Sequence, residues 1–291
     1  MSDEYLLHGA AQRGDAEEVK MLLNDPHTDV NAEDEHGDTP LRLAAWYNRI
    51  DVVKLLLADP RTNPNAQDED GKAPLHYAFN NRAMDVVELL LAETRIDVNA
   101  QDVSSLTALH LATIYGFTDA VKWLLADPRI DVNVKDDHGE TPLSFAVFRG
   151  ETSNVNLLLA YPRIDVNAQN SNGRTALHVA TIYGYADIVK ILLSDPRTDP
   201  NIRNSAAKRP LDIQLEKNKP DVNVVDVFLE HGAYTNADLD VIKEKAPEAW
   251  ARHQGRFRET FEALDQGPLA GQASIISSLV AETLFPFVPF F

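Results

Sequence analysis

The chain has 291 residues, 44% of them hydrophobic, and a formal net charge of −18 at pH 7 from 45 acidic against 27 basic side chains. That charge repels nucleic acid and anionic membranes and favours a basic or neutral protein partner. The absence of cysteine excludes disulfides, thiolate nucleophiles and cysteine metal ligands, and it fits a reducing compartment.

Met1-Ser2-Asp3-Glu4 offers neither a basic segment nor an apolar signal core. Ordinary secretion is therefore not expected, and the chain reads as cytoplasmic or as delivered by a signal-less route to a host cytosol. Tyr5-Leu6-Leu7-His8-Gly9-Ala10-Ala11 opens a first helical pair that lacks the start signal of those after it. From Thr39 the chain repeats itself. Thr39-Pro40-Leu41-Arg42-Leu43-Ala44 returns as Thr107-Ala108-Leu109-His110-Leu111-Ala112, Thr141-Pro142-Leu143-Ser144-Phe145-Ala146 and Thr175-Ala176-Leu177-His178-Val179-Ala180, with an Ala73 copy between the first two, always 34 residues apart. A fixed period of this size predicts a solenoid whose units contact mainly their neighbours.

Within the unit Thr39–Lys72 the elements follow from local chemistry. Thr39 is a helix cap and Pro40 suits the first turn, where a missing N–H costs nothing. Leu41, Ala44 and Ala45 share one face, and Asn48 ends the helix where Gly116, Gly150 and Gly184 stand later. Asp51-Val52-Val53-Lys54-Leu55-Leu56-Leu57 predicts a second helix with a wide apolar face. Asp59-Pro60 stops it, since a residue before proline leaves helical geometry. Trp123 replaces Leu55 and Leu89 at one phase of this second helix and is expected in the core. Ser105 stands where Gly37, Gly71, Gly139 and Gly173 close their turns, so the third turn is expected to take another geometry or be mobile.

Stepping by the period places repeats at Tyr5–Asp38, Thr39–Lys72, Ala73–Leu106, Thr107–Glu140, Thr141–Arg174, Thr175–Lys208 and Arg209–Asn236. The remaining segment, Ala237–Phe291, is expected to be a helical appendage of different character. A helix opening at Pro247 would set Trp250, Phe257, Phe261 and Leu264 opposite Arg252, Arg256, Glu259 and Glu262. Past Gly267-Pro268 comes an apolar stripe ending Phe285-Pro286-Phe287-Val288-Pro289-Phe290-Phe291. Such a stripe should cover the end of the solenoid, meet a partner or self-associate, or contact a membrane surface, and it is too short and proline-broken to span a bilayer.

The repeated phrase resembles the signature of the ankyrin-repeat family over about four fifths of the chain. The resemblance implies an all-α solenoid of about seven repeats. One departure stands out: familiar ankyrin repeats close the second helix on a Gly-Ala pair, which survives here only at Gly232-Ala233. Asp59-Pro60-Arg61 and its equivalents take its place and supply the extra residue of the period.

The family further implies non-catalytic protein binding in a concave groove. The groove residues would be Trp46, Tyr47, Asn80, Asn81, Ile114, Tyr115, Phe148, Arg149, Ile182 and Tyr183, which follow the small residues of each first helix. Tyrosine, tryptophan and arginine are the types most enriched in binding hot spots. The family makes His76, His110 and His178 hydrogen-bonding links between units rather than ligands or catalysts. Asn31, Asn65, Asn99, Asn133, Asn167 and Asn201 recur at one phase as turn-bridging residues. In the family, asparagines at this place are also targets of an asparaginyl hydroxylase. No phosphate-cradling loop, nucleophile elbow or paired-histidine motif occurs, so no catalytic, metal or cofactor site is expected. The rival reading is a regulatory subunit or secreted effector whose apolar tail anchors to or inhibits an enzyme, with an active site in the tail as a third.

Overall fold

The structure, a computed structural model, describes residues 5–253. These are helical throughout, and no strand occurs among the described residues. The expected stripe Gly267–Phe291 and the helix positions Phe257, Phe261 and Leu264 lie outside them. The chain divides into two compact units, Met1–Asp165 and Val166–Phe291.

In the first unit the helices come in pairs: α1 (Leu6–Arg13) and α2 (Ala16–Leu23), α3 (Pro40–Trp46) and α4 (Ile50–Ala58), α5 (Pro74–Asn80) and α6 (Met84–Ala92), α7 (Ala108–Tyr115) and α8 (Thr118–Ala126), α9 (Pro142–Phe148) and α10 (Thr152–Leu159). First helices pack on first helices, α1 against α3 through to α7 against α9, and second on second, α2 against α4 through to α8 against α10. Thr39, Thr107 and Thr141 cap their helices by accepting the N–H of Arg42, His110 and Ser144. Leu41, Ala44 and Ala45 are buried, as are Val52, Val53 and Leu56 of the partner helix. Small residues at the helix contact let the layers approach, and the aliphatic side chains supply the burial that stabilises each layer.

The second unit holds α11 (Ala176–Tyr183), α12 (Ala186–Ser194), α13 (Pro210–Leu215), α14 (Val222–Glu230) and α15 (Asn236–Lys245), followed by a helical segment at 247–253. α11 packs on α13 and α12 on α14. The boundary expected between 236 and 237 falls inside α15, which itself packs on α13. Arg209 joins the two, bonded to both Asp212 and Asp238, and Lys245 donates to the carbonyl of Leu215. Arg252 and His253 both pair with Asp226 of α14. Stacking therefore continues past the last recognisable repeat phrase.

Two local expectations are corrected. Trp123 is half-buried rather than core, because its neighbours Val121 and Leu124 take the inward positions of α8. Its truncation should cost less than the about 3–5 kcal/mol of a fully buried aromatic. Ser105 does not change its turn: its φ of 60° matches the 71° of Gly71. Asp102 holds this turn, accepting the N–H groups of Ser104 and Leu106 at 2.9 Å each, while Ser105 donates to the Asp102 carbonyl at 2.8 Å. What glycine supplies at Gly71 is closeness as well, since a Cβ there would lie 3.0 Å from the backbone nitrogen of Val103.

Candidate protein-binding face

The expected groove residues of the first unit lie at the C-terminal ends of its first helices. Trp46 ends α3 and Tyr47 follows it, 39% and 40% exposed, and Phe148 at the end of α9 is 50% exposed. Arg149 and Asn81 are exposed, whereas Asn80, Ile114 and Tyr115 are half-buried. The ladder is cross-linked between helices. Gln12 donates to the Tyr47 hydroxyl at 3.0 Å, Asn81 donates to the Trp46 carbonyl, and the Tyr115 hydroxyl donates to Asn80 at 3.0 Å. The Arg82 guanidinium lies 5.9 Å from the Tyr115 ring centre. Tyr115 is thus a packing residue as much as a surface one. In the second unit Tyr183 is half exposed and stacks on Tyr185 at 5.8 Å, while Ile182 is half-buried.

Tyr77 belongs to this face although its phase gave no sign of it. It occupies the position of Leu43 and Leu111, which reads as core. Its ring meets Trp46 edge-on at 5.4 Å, and its hydroxyl donates to Asp68. Burial and the neighbouring carboxylate push the phenol well above its ordinary range, so it stays a donor.

The acidic turn tips divide into two kinds of carboxylate. Asp34 Oδ1 accepts the N–H of His36 and Asp38, Asp68 Oδ1 that of Lys72, and Asp136 Oδ1 those of His138 and Glu140, at 2.7–2.9 Å. These aspartates build the turns. Glu33, Glu35, Glu69, Asp70 and Asp137 are exposed beside them.

The histidines are structural. In His76, His110 and His178, Nδ1 accepts an N–H from Ala73, Thr107 and Thr175 at 3.1 Å. Nε2 therefore carries the proton and donates to the carbonyls of Leu106, Glu140 and Lys208, 30 residues on. Burial holds all three below the usual histidine range. The asparagines span the same gap, Asn65 for instance donating to the Arg95 carbonyl at 2.8 Å and accepting from Asp97 N–H at 2.7 Å. Among the described residues no group of three or more histidines and carboxylates is placed to hold a metal ion, and no helix is long and apolar enough to cross a membrane.

Residues 24–78 match a family model of ankyrin repeats in many copies, and residues 60–136 and 128–204 match one of three ankyrin repeats. The chain belongs to the ankyrin-repeat family. Among solved structures it is similar to the ankyrin repeat domain of Bcl-3, a member of the IkappaB protein family, at 30% identity and a TM-score of 0.66 over 72% of this chain and 92% of that one. No curated protein matches it. Ankyrin repeats are protein–protein interaction scaffolds and in general non-catalytic, so the fold gives this chain protein partners.

Proposed function

We propose that this ankyrin-repeat protein is a non-catalytic scaffold that holds a protein partner against the first-helix face of its first unit, in the groove of the family. One observation carries the reading. Most large apolar residues of the repeats are buried, yet Trp46, Tyr47 and Phe148 stand 39–50% exposed at two adjacent phases of the 34-residue frame. Exposed aromatics in register are costly to leave in water and match the composition of hot spots. Tyr183 repeats the pattern in the second unit. A cysteine-free, acidic composition supports a cytosolic setting.

The test uses a partner captured by affinity purification. Tyr47→Ala with Phe148→Ala should weaken its binding by at least about 2 kcal/mol, as central hot spots do, while the melting temperature stays near wild type. Full affinity in the folded double variant would overturn the assignment of the face.

A further inference from the structure

We propose that the part of this face around Trp46 and Tyr77 receives a basic segment of the partner, with an arginine or lysine side chain lying on the Trp46 ring beside the first two turn tips. The inference rests on the first-helix face being the partner site.

The charge on Glu33, Glu35, Glu69 and Asp70, the exposed carboxylates of those tips, builds no turn, although that on Asp68 also faces the buried Arg42. The turn-closing hydrogen bonds of Asp34 and Asp68 are made by neutral amides in the second unit. There Asn170 Oδ1 accepts the N–H groups of Asn172 and Arg174 at 2.9 Å, and Asn204 does so for Ala206 and Lys208 at 2.9 and 3.1 Å. The tips at 169–172 and 203–206 carry no carboxylate at all, whereas Glu33-Asp34-Glu35 and Asp68-Glu69-Asp70 carry three each. A solubility requirement would not sort charge by position in this way. The cations nearby leave the surplus standing. Arg42 is fully buried, its guanidinium 3.4 Å from Asp38, and Lys72 lies 3.1 Å from Asp70. Glu33, Glu35 and Glu69 are exposed.

This surplus adjoins the aromatic surface. Trp46 meets Tyr77, and Tyr77 is bonded to Asp68 of the second tip, so ring faces begin where the carboxylates end. An exposed tryptophan face attracts a cation through its quadrupole, guanidinium above all, and carboxylates alongside steer it there and disfavour an acidic competitor. At the far end of the same unit Phe148 is followed by the exposed Arg149. The tip carboxylates fall from three each at 33–35 and 68–70 to Asp102 in the third tip and Asp136 and Asp137 in the fourth, and a segment binding along the face would place its basic end at Trp46.

The probe is a fluorescein-labelled peptide alternating arginine with leucine, titrated against the full chain, with a glutamate–leucine peptide as control. The basic peptide should bind and the acidic one should not. The triple variant Glu35→Gln, Glu69→Gln, Asp70→Asn should lose roughly tenfold at low salt and flatten the salt dependence, because exposed charges act through screened attraction. Trp46→Ala should lose about as much with the salt dependence retained, as expected for a desolvated ring contact. Wild-type affinity in the triple variant, or equal binding of the acidic peptide, would overturn the proposal. A captured partner weakened by Tyr47→Ala with Phe148→Ala but indifferent to the triple variant overturns the basic segment and leaves the face standing. Indifference to both overturns the face as well.

Discussion

Asn154 shows what a single residue does against the repeat that surrounds it. It stands at the phase of Val52, Val86 and Ala120, is fully buried, and has no hydrogen-bond partner for Nδ2 or Oδ1. An unpaired buried amide costs about 1–3 kcal/mol for each orphaned group. Asn154→Val removes the orphaned amide and restores the residue of Val52 and Val86, so it should raise the unfolding free energy by about 1–3 kcal/mol. Denaturant melts decide it, and an unchanged or lowered midpoint would contradict the account. From sequence the position was legible as a departure from the repeat but not as a buried one. Ser105 is the reverse case: the departure from glycine was visible, yet the turn kept its form because Asp102 and Ser104 hold their bonds.

At the scale of elements, the loop Asp-Pro-Arg carries a task that its composition alone does not announce. The carboxylates of Asp59, Glu93 and Asp127 hold the guanidinium of Arg61, Arg95 and Arg129 in place, which keeps those acids below the usual carboxylate range. Each arginine then donates to the preceding repeat. Arg61 reaches the carbonyl of Leu23 at 2.9 Å, Arg95 those of Leu57 and Thr62 at 2.7 and 2.9 Å, and Arg129 those of Thr94 and Ile96 at 2.9 Å. Leu23 and Leu57 lie in the last turns of α2 and α4, so the cation satisfies unpaired carbonyls at the negative end of a helix. The extra residue of the 34-residue period is thus an inter-repeat clasp. Arg95→Ala should cost about 1–2 kcal/mol after allowance for its partial exposure. Arg163→Ala should cost less, because Tyr161 replaces the carboxylate and Arg163 reaches the Pro128 carbonyl at 3.4 Å, a contact Arg95 makes to Pro60 at the same distance beside its two shorter bonds. Equal losses in the two variants, measured by chemical denaturation, would show that the clasp is not what stabilises the stack.

For the molecule as a whole, stability should depend on pH through its buried histidines. His76, His110 and His178 are depressed from 6.5 by burial. The unfolded chain therefore binds more protons than the folded one once the pH drops below that value. Stability rises with pH wherever the unfolded state holds more protons. The histidine contribution is complete above about pH 6.5 and is lost progressively as the pH falls through the depressed folded values. Melting temperatures should be level between pH 7 and 8 and decline on acidification before carboxylates titrate. A rise in melting temperature on acidification from pH 7 to 5.5 would reverse the sign and refute neutral, proton-donating histidines.

The 34-residue period, the helix starts at Thr39, Thr107, Thr141 and Thr175, the stops at Asp-Pro and the family itself were determined by sequence alone. Each is a local matter, in which a cap, a proline or a left-handed residue acts within one turn of its own position. Asn48 at a helix end with φ 55° is such a case. Tertiary structure decided what depended on a neighbour some 30–38 residues away. It made Tyr115 a tethered packing residue while leaving Tyr47 exposed, drew Tyr77 against the Trp46 ring, and turned the arginine of the back loop into a clasp. Such partners are invisible within one repeat, because which side chain a donor meets is set by how the next helix pair stacks rather than by the chain beside it.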